Sequence, residues 1–230
     1  MRHDLTVPTL EIEQKLANDG ADLVLGFDEV GRGSLAGPAM VGVAGFWSTS
    51  LSNLNVISDL QDSKLLTEKQ RDLVAVAAQS WCDAYAIGEV SNTEIDEWGI
   101  SYALGVAALR ALALIEEKLQ ITSQSNIRIS AILDGPFDYI TKIVNTFDAP
   151  IVPVLARIHT KVKADRSCAT VSAAAVIAKV YRDSLMVQLS QKPEYKHYAW
   201  DHNKGYGSQQ HRNAIQEFGA SDLHRLSWNL

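Results

Sequence analysis

The sequence predicts an α/β domain built on a mixed sheet of about five strands with helices packed on it. Apolar strand segments alternate with longer helical segments, without an internal repeat or a low-complexity stretch. The first two strand segments are separated only by EVGRGSLAGP, which is too short for a crossover helix. These two strands are therefore expected to pair antiparallel within an otherwise α/β order.

The individual elements follow from local composition. Strands rich in Val, Ile, Leu and Ala are predicted at 23–28, 39–47, 82–90, 129–134 and 151–156. Helices are predicted at 67–80, 99–120, 168–191 and 208–218. Thr67 is a suitable N-cap for the first helix, and Glu68 places a negative charge in its first turn.

Length and composition indicate one globular domain over residues 1–230, with 47% apolar residues to form its core. No segment approaches the roughly 18 uninterrupted apolar residues of a membrane span, and the N-terminus lacks an apolar signal core. A cytoplasmic protein is expected. Cys82 and Cys168 fit no zinc-site spacing and are predicted to be buried thiols.

The net charge of −6 is unevenly distributed. Residues 1–156 contain 10 Lys and Arg against 21 Asp and Glu, whereas residues 157–230 contain 11 against 6 and five of the six histidines. Aromatic and basic residues interleave in KPEYKHYAWDHNKGYG. This pattern suits phosphate contacts and stacking, although a solvated surface would explain any single cluster equally well.

Two adjacent carboxylates, Asp28 and Glu29, lie in GFDEVGRG between an apolar strand and a glycine-rich turn. They repel each other and are costly to bury, so a bound divalent cation would explain them. A Walker A loop is excluded because Arg32 and Gly33 replace its Lys and Ser or Thr, and a dinucleotide loop because a strand follows. The alternative is a polar hairpin with two exposed acids.

Two further carboxylates occupy similar positions. Asp134 ends the strand of ILDGP, and Asp165 precedes the long helix that begins at 168. Each alone is typical of a turn or a helix cap. With Asp28 and Glu29, however, they form an all-oxygen donor set that suits Mg²⁺ or Mn²⁺ and two-metal phosphoryl chemistry. Together with the basic third, this set indicates a nuclease.

The histidines form no compact set of metal ligands. His202, His211 and His224 are therefore expected at the surface or in contact with phosphates.

The sequence resembles bacterial ribonuclease HII over essentially its full length. The similar segments are, in order, GFDEVGRGSLAGP, DSKLLTEKQR, ILDGP, ADRSCATVSAAAVIAKVYRD and NKGYGSQQH. DEVGRG distinguishes this family from ribonuclease HIII, which typically has Asp-Glu-Ser-Gly there. The chain departs from the common pattern at Leu65, where a second Lys is usual, and at Pro136, where Asn is common.

The resemblance implies a ribonuclease H-like fold with a C-terminal helical, basic extension at about 192–230. A monomer is the default expectation. It implies cleavage of the RNA strand of RNA·DNA hybrids and of DNA 5′ to embedded ribonucleotides, giving 3′-hydroxyl and 5′-phosphate ends. Two Mn²⁺ or Mg²⁺ ions would bind the catalytic carboxylates Asp28, Glu29, Asp134 and Asp165. The substrate would be contacted by the main chain of Gly31, Arg32 and Gly33 at the ribose 2′-hydroxyl, Tyr206 at the adjoining sugar, Lys64 at a phosphate, and Lys204.

Two other classes of function remain compatible with parts of the sequence. A non-catalytic nucleic-acid-binding module would need the basic third but not the four carboxylates. Another metal-dependent nuclease, one that resolves or integrates DNA, would use the carboxylates but has no evident use for the GRG turn or for KGYG. Cleavage of a duplex with one ribonucleotide distinguishes the three.

Overall fold

The computed structural model describes residues 7–57, 60 and 67–230. Five strands form one mixed sheet, as the sequence predicts, and their order in the sheet is β3-β2-β1-β4-β5. β1 pairs antiparallel with β2 and parallel with β4. The strands are β1 Leu23–Val30, β2 Ala39–Trp47, β3 Ala84–Val90, β4 Ile129–Asp134 and β5 Arg157–Lys161.

The helices that the sequence predicts are present within two residues of their expected ends, and in the described part of the chain four shorter α-helices accompany them. The long helices are α3 Glu68–Trp81, α5 Ile100–Lys118, α6 Ala169–Ser190 and α8 Gln209–Phe218. The short ones are α1 Glu11–Asn18, α2 Ser48–Leu51, α4 Asn92–Trp98 and α7 Trp200–Asn203. Thr67 caps α3 as predicted, in a reciprocal capping box with Gln70.

The predicted fifth strand, 151–156, is wrong; the strand is β5, which begins at Arg157. Pro153 has no N–H to donate to a ladder, and the Val154 N–H donates to the Glu116 carboxylate instead. Val152, Val154 and Ala156 pack on the core from this irregular segment, whereas Ile151 and Leu155 are exposed. β5 is an edge strand with the polar sequence RIHTK, so it lacks the apolar signal that marks the inner strands.

The two faces of the sheet are covered by different helices. α5 packs on one face, and α6, with α1 and α3 beside it, covers the other. Gly26 and Gly42 allow α6 to lie close: a Cβ at Gly26 would be 2.4 Å from the Val171 backbone nitrogen, and one at Gly42 would be 2.5 Å from the Ala174 carbonyl oxygen. The two strand glycines, facing the small residues of α6, therefore permit the close packing that positions the N-terminal end of α6 beside β1 and β4.

Beyond α6, Trp200, Tyr195 and Tyr198 form a separate small core together with Met186 of α6. Cys82 and Cys168 are buried free thiols, as predicted. Within the described ranges, no helix is long and apolar enough to cross a membrane.

Candidate active site

The sheet brings Asp28 and Asp134 to the same end of two adjacent parallel strands. Phe27 of β1 is paired with Leu133 of β4, and each aspartate directly follows its member of that pair. Side chains alternate along a strand, and Phe27 and Leu133 face the α5 side. Asp28 and Asp134 therefore face the α6 side.

Asp165 lies at the start of α6, on the side of the sheet that Asp28 and Asp134 face. It is buried in the 3-10 turn Ala164–Arg166 that leads into the helix. One oxygen of Asp134 accepts a hydrogen bond of 2.6 Å from the Ala164 backbone N–H. Three of the four predicted carboxylates thus gather where β1, β4 and α6 meet.

Glu29, the fourth carboxylate, is held by two donors near this end of the sheet. Its Oε1 lies 3.3 Å from Arg32 Nη1, and its Oε2 accepts a hydrogen bond of 3.4 Å from the Tyr139 hydroxyl. Burial, and then the negative charges of Glu29 and Asp28, raise the pKa of Tyr139 well above its usual range. Tyr139 therefore keeps its proton and remains a donor to Glu29. Glu29 and Asp134 also line one shared cavity of about 410 Å³.

The donor chemistry of this site fits a hard divalent cation, because all four side chains offer carboxylate oxygens. Within the part of the chain that the structure describes, however, no three His, Cys, Asp or Glu side chains are placed as a set that could hold a metal ion. Two of the acids instead accept hydrogen bonds from the protein, Glu29 from Arg32 and Tyr139 and Asp134 from Ala164. An ionised carboxylate has about four lone-pair sites, so these hydrogen bonds orient Glu29 and Asp134 and leave oxygen positions free for a ligand.

The GRG turn and the KGYG segment, far apart in sequence, are in direct contact. The Gly31 N–H donates a hydrogen bond of 3.2 Å to the Tyr206 hydroxyl. Ser34 forms an antiparallel bridge with Tyr206, and the Leu35 N–H donates to the Gly205 carbonyl at 2.8 Å. The structure therefore brings the predicted ribose-reading turn and the predicted aromatic residue together.

Gly31 is required at its position for two reasons. Its φ of +79° lies in the left-handed region, and a Cβ there would be 2.1 Å from Arg182 Nε. Gly33 differs, because a Cβ there would meet open space. The turn thus has one end locked against the protein and the other open to a ligand.

The predicted cationic contacts differ in their surroundings. Arg32 is about half exposed beside Glu29. The Lys204 side chain is only 13% exposed: its ammonium group donates to the Asp201 carbonyl and lies 3.5 Å from Glu68 Oε1. Lys64 lies outside the described residues.

Two fully buried arginines, which the sequence analysis did not assign to the site, hold the turn in place. Arg225 donates to the carbonyls of Gly31 at 2.7 Å, Arg32 at 2.9 Å and Gly37 at 3.1 Å. Burial and the neighbouring charge of Arg182 lower the pKa of Arg225 to about 9, so it is still charged at neutral pH. These bonds satisfy the carbonyls of the turn from the protein side.

Arg182 performs the same task for the other segment. It donates to the Pro38 carbonyl at 2.8 Å, to Ser34 Oγ at 2.8 Å and to the Lys204 carbonyl at 3.0 Å. Its guanidinium also lies over the Tyr206 ring, 5.5 Å from the centroid. One side chain of α6 therefore links the GRG turn to KGYG. Neither arginine has a distinctive spacing in the sequence; only the repeated proximity of Arg to aromatic residues hints at them.

The prediction that His211 and His224 lie at the surface is wrong. Both are fully buried, with their Nε2 atoms 3.0 Å apart. His224 Nδ1 accepts the Ser221 N–H at 2.8 Å, so a neutral His224 carries its proton on Nε2 and donates it to His211. The sequence gives the residue type but not the internal partners that make burial of a neutral imidazole possible. His202 is exposed, as predicted.

The histidine pair is connected to Tyr206. His211 Nε2 also accepts the Trp200 indole N–H at 3.0 Å, so His211 carries its proton on Nδ1 and donates it to the Tyr206 carbonyl at 2.9 Å. Burial, and then the neighbouring His211, lower the pKa of His224 to about 4. Both rings are therefore neutral at pH 7, and every ring nitrogen has a partner.

Comparisons with known proteins agree with this geometry. The sequence model of the ribonuclease HII family matches residues 25–230. A ribonuclease HII of Streptomyces coelicolor is 39% identical over 222 residues, covering 96% of this chain and 83% of the relative. Among solved structures, ribonuclease H2 from Pyrococcus horikoshii superposes with a TM-score of 0.67 and 26% identity, covering 90% of this chain and 93% of that one. Bst-RNase HIII in complex with Mn²⁺ shares the fold, with a TM-score of 0.61, 18% identity, and 87% and 72% coverage.

The family match extends over nearly nine-tenths of the sequence and includes all four carboxylates, the GRG turn and KGYG. This chain therefore belongs to the ribonuclease HII family, whose members are endonucleases acting on RNA·DNA hybrids.

Proposed function

We propose that this enzyme cuts the RNA strand of hybrids and nicks DNA 5′ to single embedded ribonucleotides, leaving 3′-hydroxyl and 5′-phosphate ends. One observation carries the proposal. The carboxylates Asp28 and Asp134, near the carboxyl ends of β1 and β4, lie at the same end of the sheet as a glycine turn that is hydrogen-bonded to Tyr206. A cutting centre and a sugar-reading surface would thus be adjacent.

The four carboxylates Asp28, Glu29, Asp134 and Asp165 would hold two Mn²⁺ or Mg²⁺ ions. When bound, such ions supply an activated water and neutralise the leaving 3′-oxygen, so no protein nucleophile is required. The protein's part is to hold the acids ready: Tyr139 keeps Glu29 in place with a hydrogen bond, and the Ala164 N–H does the same for Asp134.

Selection of ribose would occur at Gly31, Arg32 and Gly33, with Tyr206 beside them. The 2′-hydroxyl both donates and accepts hydrogen bonds and is the group that distinguishes RNA from DNA. The Tyr206 oxygen accepts the Gly31 N–H, so its own hydroxyl proton is directed to another acceptor. A ribose at the open Gly33 end of the turn would provide that acceptor. The exposed main chain of the turn would contact the same ribose.

The phosphates would be contacted by basic side chains around the turn. Arg32 is exposed beside the acids, whereas Lys204 must leave Asp201 and Glu68 to reach a phosphate. Lys64 is proposed for the same role on the resemblance alone. The excess of basic residues in 157–230 supports contact between the duplex and this third of a single domain, which includes the C-terminal extension at about 192–230.

The test is to incubate the purified protein with Mn²⁺ and a duplex containing one ribonucleotide, beside an all-DNA duplex and a long hybrid. We expect nicking 5′ to the ribonucleotide and cuts in the hybrid's RNA strand. Ligation and phosphatase treatment should identify 3′-hydroxyl and 5′-phosphate ends. Cleavage of the all-DNA duplex at a comparable rate, or products with 3′-phosphates, would contradict the proposal.

A further inference from the structure

The cavity beside the carboxylates has a lining that the proposed catalytic set does not explain. Besides Glu29 and Asp134, it is lined by Tyr102 at the N-terminal end of α5 and by Phe137 and Lys142 from the segment after β4. Its volume of about 410 Å³ is in the range of sites that hold small ligands. None of the roles assigned above uses Phe137 or Lys142.

The segment after β4 carries side chains that can bind a sugar–phosphate chain. Phe137 lines the cavity and is 73% exposed, so its ring is available for packing. Lys142 lies in the short 3-10 turn Thr141–Ile143, which is fixed because Asp138 accepts the N–H groups of residues 140 and 141, both at 2.9 Å. An exposed ring beside a cation on a fixed segment suits a sugar and its phosphate.

The position of the cavity relative to the ribose turn indicates which nucleotide it would take. Gly31 contacts Tyr206, which is not part of the cavity lining, whereas Arg32, the next residue, is. We propose that the cavity is a subsite for the nucleotide next to the cleaved phosphate, on the side away from Tyr206. Phe137 packs on its sugar, and Lys142 contacts its phosphate. This inference rests on the proposed function.

The first experiment measures duplex affinity against salt concentration in metal-free buffer, so that the substrate stays intact. Lys142→Gln should weaken binding to every duplex and reduce the slope of log affinity against log salt by about one. Phe137→Ala should weaken binding roughly fivefold or more with an unchanged slope, because stacking and packing on an aromatic ring release no counterions.

Two substitutions of the same residue types outside the cavity lining serve as controls. Lys118→Gln removes a lysine at the other end of α5, about 25 Å from Tyr102 along the helix axis. Phe147→Ala removes a fully exposed phenylalanine ten residues beyond Phe137 that does not line the cavity. Both controls should bind like the unmodified protein. If the Lys142 and Phe137 variants behave like these controls, the subsite does not exist.

The second experiment identifies the phosphate. A series of duplexes, each with one uncharged methylphosphonate linkage near the ribonucleotide, is bound by the unmodified protein and by Lys142→Gln. At one linkage flanking the ribonucleotide, the two changes should be non-additive, because each removes the same contact. Full additivity at every linkage would overturn the proposal. A protein that shows this coupling but cuts no substrate would instead contradict the proposed function.

Discussion

The two sides of the candidate site differ in how their polar and charged side chains are stabilised. Asp28, Glu29 and Asp134 near the ends of β1 and β4, with Asp165 at the start of α6, concentrate negative charge. Behind the turn lies a group of side chains that we call the buried clamp: Arg182, Arg225, His211 and His224. Each member is fully buried and hydrogen-bonded within the protein to carbonyls, hydroxyls or ring nitrogens. Under the proposed function, cutting belongs to the region that a bound ligand completes, and recognition belongs to the region that the protein organises without a ligand.

The largest expected effect is on the carboxylate side. Asp28→Asn should lower single-turnover cleavage roughly 10³-fold or more, since charge stabilisation by a bound cation is worth several kcal/mol. Stability in metal-free buffer should stay equal or rise, because one of several like charges is removed. Cleavage and thermal unfolding of the same preparation measure both. Asp19→Asn, on the exposed end of α1, is the control. Near-normal turnover of Asp28→Asn at saturating Mn²⁺ would remove the carboxylates from the mechanism.

Breaking the buried clamp should cost stability first. Arg225→Met leaves the carbonyls of Gly31, Arg32 and Gly37 without their donors, and lost partners of a buried charged network cost about 3–5 kcal/mol. For a chain of this size, the melting temperature should fall by roughly 10 °C. Arg128→Met, at an arginine whose side chain is 73% exposed, is the matched control. Equal melting temperatures for the two variants would show that the turn does not depend on Arg225.

The histidines of the clamp predict a dependence of stability on pH. The folded pKa of His224, about 4, lies below the usual 6.5, so between these values the unfolded chain binds more protons. The stabilisation is therefore complete above pH 6.5 and is lost as the pH falls towards 4, by up to about 3 kcal/mol. His224→Asn should flatten this loss in unfolding free energies measured from pH 7.5 to 4.5. An unchanged slope in the variant would contradict the assignment.

Glu116 changes the free energy of unfolding in the opposite direction to His224 over a similar pH range. The pH profiles of the Glu116 and His224 variants must therefore be compared with each other. Burial raises its pKa to about 7, and stability is therefore lost as the pH rises from 4.5 to 7. Glu116→Gln should remove that loss and leave the acid loss due to His224 more visible. The two substitutions should thus tilt the pH profile in opposite directions.

The smallest of these effects concerns recognition. Tyr206→Ala should slow cleavage at a single embedded ribonucleotide about tenfold, because the reacting group is misplaced, while affinity for the duplex changes less. Tyr206→Phe isolates the hydroxyl that accepts the Gly31 N–H and should show part of the same loss. Single-turnover rates and affinities measured in parallel decide the matter: a defect confined to affinity would mean that Tyr206 only binds.

The sequence predicted the parts of this molecule whose signals are local. The inner strands, the long helices, the four carboxylates and the glycine turn all have strong sequence signals in their composition or spacing. β5 could not be found because its residues are polar and its pairing is decided by β4. The buried clamp was missed for a related reason. Arginine and histidine are usually exposed, and only tertiary structure supplies the carbonyls and ring nitrogens that make their burial favourable.

The most direct test of the division between cutting and recognition uses Asp134→Asn and Tyr206→Ala side by side. For each, one measures cleavage of a single-ribonucleotide duplex and the ratio of its affinity to that for the all-DNA duplex. We expect Asp134→Asn to lose cleavage but keep this affinity ratio. Tyr206→Ala should keep cleavage at about a tenth of the normal rate, and its affinity ratio should fall by less than that tenfold loss. If both variants lost cleavage and preference in the same proportion, the two regions would act as one, contrary to this account.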